Sequence, residues 1–382
     1  MESKKIKKNK IKNDLKDEKI LSNEINSSEN FGNIELNENF FSDKTFNDLK
    51  LTEFTIKALE NKNFTTASEI QAKCIPLAMK GNDILGSAKT GSGKSLAFLI
   101  PAVELLFRTD FNQMQGTGVI VITPTRELAT QLFELAKHLF VFNKKTCTTI
   151  IGGAYRKKEA KKLSKGVNLL IATPGRLLDH LKHTEGFNYS NLCMLIIDEA
   201  DAILKIGFEE ELKEILQILP KERQTMLFSA TLGKKVENLV SLSLKNPVHV
   251  DVKTKIKTVS NLEHGYIVIE PDMKFLFLYS FIKNNQNKKI MVFFATCMEV
   301  QFYSYLLNYV DVPVKDIHGD LKQVKRNSVY NEFFNSDRGV LLCTDIAQRG
   351  LDFPDVDWII QYDPPNSMFN INKIIRPRRL FA

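Results

Sequence analysis

Cysteine is scarce: the 382 residues include five, at positions 74, 147, 193, 297 and 343, with no CxxC pair. That excludes a disulfide framework and offers no zinc-ligand spacing. Scattered single thiols read as small buried hydrophobes in a reducing compartment. Long apolar runs are also missing. The stretch from Leu96 to Phe107 is broken by Pro101 and Glu104, so no membrane-spanning segment is expected. The lysine-rich start has no apolar core behind it, which argues against a secretory signal. Nor is acid in excess. Lys and Arg number 53 against 45 Asp and Glu, a net charge of +8 that suits an anionic partner.

What is present is an ordinary globular composition, 43% hydrophobic, in a chain long enough for two domains. Residues 1–42 are rich in Lys, Asn, Glu and Ser without apolar periodicity, and they read as a disordered tail. The cluster from Lys4 to Lys10 is either a nuclear-import or RNA-binding arm or a solvated charge run. From 43 to 252, apolar runs alternate with helix-like stretches. Strand candidates there are Gly118 to Ile122, Asn168 to Ala172, Leu192 to Ile197 and Met226 to Ser229. The polar stretch 253–261 reads as a linker. From 262 to 382 the alternation resumes, with strand candidates Lys289 to Phe294, Gly339 to Cys343 and Asp357 to Ile360. Such alternation implies βαβ units: an α/β fold of two parallel-sheet lobes with a cleft between them.

Two strings carry chemistry. Leu192 to Ile197 has no polar alternation, as expected of a strand buried on both faces, and Asp198-Glu199-Ala200-Asp201 follows it. Carboxylates at the carboxyl end of such a strand lie where open α/β sheets bind ligands. One acid can hold Mg²⁺ and the next can handle a water molecule. Upstream, Ala88-Lys89-Thr90-Gly91-Ser92-Gly93-Lys94-Ser95 joins a short strand to a helix-like run. Its glycines let backbone N–H groups approach phosphate. Lys94 would reach the β and γ phosphates, and the Ser95 hydroxyl would sit on Mg²⁺.

Taken with these two, the remaining motifs strongly resemble the DEAD-box ATP-dependent RNA helicases, in the family's order, over residues 46 to 365. Phe46 and Gln71 resemble the adenine-reading element, where a ring stacks and an amide both donates and accepts. Pro124-Thr125-Arg126, Gly152-Gly153 and Thr173-Pro174-Gly175-Arg176 match RNA-contact motifs of the first lobe. Ser229-Ala230-Thr231 matches the element coupling ATP state to strand separation, with hydroxyls able to bond Asp201. Read singly, Thr173-Pro174-Gly175 is a good turn, and Ser229 and Thr231 could be helix caps. In the second lobe, His318-Gly319-Asp320 with Gln323 and Arg326 matches a further RNA-contact region. Thr344 and Asp345 fall in a motif touching RNA and nucleotide, whose Asp352 would bond the ribose. Resemblance extends to the nucleolar branch that works on pre-ribosomal RNA.

The resemblance implies two tandem RecA-like domains, ATP and Mg²⁺ as cofactors, and RNA as partner. Pre-ribosomal proteins are further candidate partners. It also implies a nuclear, nucleolar setting and a monomer. Lys94 would neutralise phosphate charge, Ser95 and Asp198 would hold Mg²⁺, and Glu199 would orient or deprotonate the attacking water. Arg376 and Arg379 fall where the family has its γ-phosphate-sensing arginines, although Ile375 and Pro377 alter their setting. The chain stops at Ala382, where the family continues with another strand and helix, so the second sheet is expected to be incomplete, with apolar surface exposed. Two function classes stay open here. One is an active RNA-dependent ATPase and helicase. The other is a weakly active ATP-binding assembly factor.

Overall fold

The unbroken apolar runs become parallel strands. The computed structural model of the protein describes residues 44–88, 92–252, 265–344 and 356–363. The tail 1–42 and the linker 253–261 lie outside these residues. In the first lobe, β1 (Ile84–Ser87), β2 (Val119–Ile122), β3 (Cys147–Ile150), β4 (Leu169–Ala172), β5 (Met194–Ile197), β6 (Gln224–Ser229) and β7 (Val248–Asp251) form one sheet. Its order is β3-β4-β2-β5-β6-β1-β7, and every pairing is parallel. In the second lobe, β8 (Lys289–Phe294), β9 (Lys315–Ile317), β10 (Gly339–Thr344) and β11 (Trp358–Gln361) pair in parallel in the order β11-β8-β10-β9. Both lobes are RecA-like α/β units.

Three strands have no counterpart among the sequence candidates: β3, β7 and β9. Each lies at a sheet edge, where only part of the strand is covered. The inner strands β2, β4 and β5 are buried along their whole length, whereas β3 alternates buried and half-buried residues. An edge strand therefore carries polar residues such as Thr149 or Lys315 and gives no continuous apolar run.

Alternation along each inner strand sorts the core into two layers. Val119, Val121, Leu169, Ile171 and Ile196 face one cluster with Ile70, Phe98 and Leu132. These come from helices Glu69–Ala78, Lys94–Arg108 and Arg126–Leu139. Ile120, Ile122, Leu170, Leu195 and Ile197 face the other, with Leu177, Ile203, Leu212 and Val240. Each fully buried Leu, Ile or Phe contributes about 1.5–3 kcal/mol relative to exposure. Helix Lys94–Arg108 keeps Pro101 in its interior and extends beyond the expected run by residues at both ends.

None of the five cysteines is in a disulfide, but only Cys74 and Cys343 are buried; Cys147, Cys193 and Cys297 are half-buried. The expectation of five buried thiols is corrected accordingly: Cys147 sits on edge strand β3, and Cys193 and Cys297 lie at element ends. Large apolar side chains are exposed in the second lobe on helix Cys297–Tyr309, whose Met298, Phe302, Tyr305 and Tyr309 project to solvent. Among the described residues no helix is long and apolar enough to cross a membrane.

Candidate nucleotide site and nucleic-acid groove

The carboxyl ends of β1, β5 and β6 gather the nucleotide motifs. β1 delivers Ala88, which is buried and donates its N–H to the Ser229 carbonyl at 3.3 Å. Lys89, Thr90 and Gly91 lie outside the described residues. Gly93 takes a left-handed conformation with φ +89° immediately before helix Lys94–Arg108. A Cβ there would approach Gln71 Nε2 to 2.5 Å and Ser68 Oγ to 2.8 Å, so glycine is required on both counts. Gln71 Nε2 donates to the Gly93 carbonyl at 2.9 Å, and Gln71 Oε1 accepts the Ser68 N–H at 2.8 Å. The amide assigned to adenine therefore also supports the phosphate loop. Phe46 is 3% exposed and packs into the first core, so its ring has no open face here. Lys94 is buried and folds back to donate to the Ala88 carbonyl at 2.9 Å. Ser92 Oγ is buried without a hydrogen-bond partner in this loop.

Asp198 is 3% exposed at the end of β5, with Oδ1 accepting the Glu199 N–H at 2.9 Å. Burial pushes its carboxyl up to about 7; neighbouring Lys94 opposes this, and Glu199 and Asp201 add to it. Glu199 sits at φ +49°, ψ +49°. That conformation costs a non-glycine residue about 1–2 kcal/mol and recurs where a side chain must be aimed. Hard oxygen donors suit Mg²⁺, and the Ser95 hydroxyl with the Asp198 carboxylate makes a chemically fitting pair.

Asp201 ties β5 to β6. Its Oδ1 accepts Ser229 Oγ at 2.9 Å and the Ala230 N–H at 3.3 Å, while Oδ2 accepts Thr231 Oγ1 at 3.2 Å. Both hydroxyls bond this carboxylate, and neither residue caps a helix. The alternative local reading of Ser229 and Thr231 is thereby corrected; adjacency of β5 and β6 decides it.

A groove of about 530 Å³ runs along the same edge and is lined from both lobes. The first lobe contributes Pro124, Thr125, Arg126, Gly152, Gly153, Thr173, Gly175 and Arg176, all expected at RNA; the second contributes Gly319 and Arg326. Thr125 is also a helix cap, accepting the Leu128 N–H at 3.2 Å. Thr173-Pro174-Gly175 is a helix start rather than a turn, with Pro174 in its first position. Arg126 Nη1 donates to Gln323 Oε1 at 3.2 Å across the lobes, and Gln323 Nε2 donates to Glu127 Oε1 at 2.9 Å. Burial, with Arg326 and Arg176 close by, holds the Arg126 guanidinium below its ordinary pKa; Glu127 opposes the shift. Thr344 ends β10 and is buried. Asp345, Asp352, Arg376 and Arg379 lie outside the described residues.

Glu127 and Glu159 belong to this constellation although neither was singled out as a site residue from sequence, whereas Gln323 was expected at RNA together with Arg326. Glu127 directly follows Arg126 in the chain; Glu159 has no local signature and is visible only through its partners. A spatial trio was equally invisible: ligand atoms of Cys297, His318 and exposed Asp320 come within 4.8 Å of one another, although no linear spacing suggested it.

A phosphate loop, strand-end acids and an arginine-lined groove shared by two RecA-like lobes define a nucleotide-dependent protein of the helicase class. Residues 68–239 match the DEAD/DEAH box helicase family, and residues 273–376 match the helicase conserved C-terminal domain. The chain belongs to the DEAD-box helicase family. It is 56% identical over 325 residues to the ATP-dependent RNA helicase HAS1 of Saccharomyces cerevisiae, covering 84% of this chain and 64% of that protein. It is 54% identical over 328 residues to HAS1 of Candida albicans, covering 85% of this chain and 58% of that protein. The chain thus spans less than two thirds of the length of these relatives. Among solved structures, Mss116p bound to ssRNA and AMP-PNP superposes with a TM-score of 0.79 at 29% identity, covering 90% of this chain and 76% of that one.

Proposed function

We propose that the chain is an RNA-dependent ATPase that clamps RNA between its lobes and opens short duplexes, acting in ribosomal RNA processing in the nucleolus. The observation that carries this reading is the joining of the two lobes at one groove through Arg126, Gln323, Glu127 and Arg326, beside the nucleotide edge of the first sheet. Relatives named ATP-dependent RNA helicase support the activity, and a similar structure bound to ssRNA and AMP-PNP supports the ligands. The domains are taken as 43–252 and 262–382, joined by 253–261, and the working unit as a monomer with pre-ribosomal proteins as partners.

In this reading, ATP is the substrate at the loop of residues 88–95. Lys94 leaves the Ala88 carbonyl and turns to phosphate, neutralising its charge. Gln71 holds the loop while its remaining amide capacity reads adenine, and Phe46 must uncover a ring face to stack. Ser95 and Asp198 would hold Mg²⁺, which when bound supplies charge neutralisation at the phosphates. Glu199, aimed by its left-handed backbone, orients the attacking water or accepts its proton. Asp201, Ser229 and Thr231 relay the state of the acids to β6. The groove's cations meet phosphate, so binding is salt-dependent and sequence-tolerant. Arg376 and Arg379 complete the set as γ-phosphate-sensing arginines.

The test is ATP hydrolysis with and without single-stranded RNA, with Lys94→Ala as control. RNA-stimulated turnover abolished by that substitution is expected. ATP binding by a folded sample without RNA-stimulated turnover overturns the reading in favour of an ATP-binding assembly factor.

A further inference from the structure

Glu159 is 6% exposed on helix Arg156–Ser164, yet it contacts no expected ligand. A carboxylate so deep requires several partners to offset its lost hydration, and it has them. Oε1 accepts the backbone N–H of Ile151 at 3.0 Å. Oε2 lies 3.1 Å from Arg176 Nε and 3.1 Å from His180 Nε2. His180 is fully buried, and its other nitrogen lies 2.8 Å from Thr184 Oγ1. Arg176 in turn donates to the Ile151 carbonyl at 3.2 Å and the Ala154 carbonyl at 2.6 Å. Those two carbonyls bracket Gly152-Gly153, where Gly153 has φ +81° and approaches Arg126 closely.

Two groove motifs far apart in sequence are thus fastened to one carboxylate. We infer that Glu159, oriented by His180, is a positioning residue that sets the Gly152-Gly153 turn and Arg176 in the geometry that receives the nucleic-acid backbone. The inference rests on the proposed RNA reading of the groove and adds a residue that touches no nucleic acid itself. Arg176 shapes the turn through the carbonyls it holds, and Glu159 fixes Arg176 from beneath. His180 holds the carboxylate on its remaining side. A backbone turn that must present its N–H groups to phosphate is sensitive to such support, because small displacements forfeit aligned hydrogen bonds.

The test is binding of a fluorescent single-stranded RNA in the presence of AMP-PNP by the full chain and its variants, with nucleotide affinity and thermal unfolding measured alongside. Glu159→Ala is expected to weaken RNA binding at least tenfold and to raise the RNA concentration needed for half-maximal ATPase. Nucleotide affinity should stay within about twofold, because the network lies outside the phosphate loop. Glu159→Gln should restore only part of the RNA affinity: its amide oxygen still accepts the Ile151 N–H, but its NH₂ then faces the Arg176 Nε–H and cannot accept from it. A merely structural role would lower stability without this rescue and without the selective loss of RNA affinity. Folded Glu159→Ala protein that binds RNA as the wild type does overturns the inference. If Glu159→Ala does not fold, His180→Phe decides, and wild-type RNA affinity in that variant overturns it. If the wild-type chain binds no RNA, the proposed function fails separately. Amide hydrogen exchange at residues 151–154 then carries the test: faster exchange in Glu159→Ala that Glu159→Gln partly reverses is expected, and unchanged exchange overturns the inference.

Discussion

Glu127 in the first lobe pairs with Arg326 in the second, Oε1 to Nη2 at 3.0 Å, with both side chains largely buried. Glu127 Oε2 and Arg326 Nε have no hydrogen-bond partner, so the pair is held by one edge of each group. Gln323 adds a second bond to the same carboxylate oxygen, and Arg126 closes the circuit. The lobes therefore meet through residues that line the groove. Lobe arrangement and groove electrostatics become one variable. A double-mutant cycle with Glu127→Gln and Arg326→Lys should give a coupling of about 0.5–3 kcal/mol in RNA affinity measured with AMP-PNP. Strict additivity of the two single effects would sink the idea that this contact joins the lobes.

Asp201 holds three donors from the Ser229-Ala230-Thr231 segment, two of them hydroxyls. Asp201→Ala leaves those groups to find other partners, at a cost of about 1–3 kcal/mol. ATP affinity should change less than threefold, because these three donors lie at the end of β6 and just after it rather than in the loop. Duplex opening per ATP hydrolysed should fall at least tenfold. Parallel measurement of turnover and strand separation checks this, and an equal loss of both would contradict it.

Gly93→Ala should damage nucleotide binding twice over. The backbone sits at φ +89°, and the new Cβ would press against the Gln71 amide at 2.5 Å. Strain of about 1–3 kcal/mol is expected, corresponding to a loss of ATP affinity of roughly fivefold to 150-fold. Titration with a fluorescent ATP analogue would measure it.

Gly86 tests the core instead. It pairs with Phe228 across β1 and β6, and a Cβ there would lie 2.4 Å from the Phe228 ring. That ring already packs on Phe98 at a centroid separation of 5.3 Å. Gly86→Ala should destabilise folding by about 1–3 kcal/mol through overpacking. A denaturant titration with unchanged midpoint would show that the sheet yields more easily than its packing suggests.

Thiol reactivity should separate the cysteines. Burial raises the Cys147 thiol to about 11, with Glu134 adding to the shift. At pH 8 its thiolate fraction falls about a hundredfold below that of an unshifted thiol, so alkylation should be slow there and rise about tenfold per pH unit until that value is reached. Burial raises Cys74 further still, and native alkylation should not reach it. Mass spectrometry after timed iodoacetamide treatment reads both, and rapid labelling of Cys147 at pH 8 would contradict its placement.

Much of this protein was legible in the linear chain because its chemistry is local. Gly93-Lys94-Ser95 needs only a strand before it and a helix after it, and Asp198 needs only the end of a buried strand. The inner strands announced themselves because a residue run buried on both faces has no use for polar alternation. Edge strands β3, β7 and β9 did not, since half of their surface is left outside the core. The partners of Asp201 lie 28 to 30 residues away and were suggested by resemblance, but their three bonds depend on β5 lying beside β6. Glu159 carries no motif, and only the packing of helices Arg156–Ser164 and Pro174–His183 against one turn gives it His180, Arg176 and Ile151 as partners. Glu127 and Arg326 are separated by most of two domains, and their pairing depends on how the lobes meet. Short-range stereochemistry and burial are written into neighbouring residues, whereas contacts between distant charges exist only once the sheets have ordered their strands.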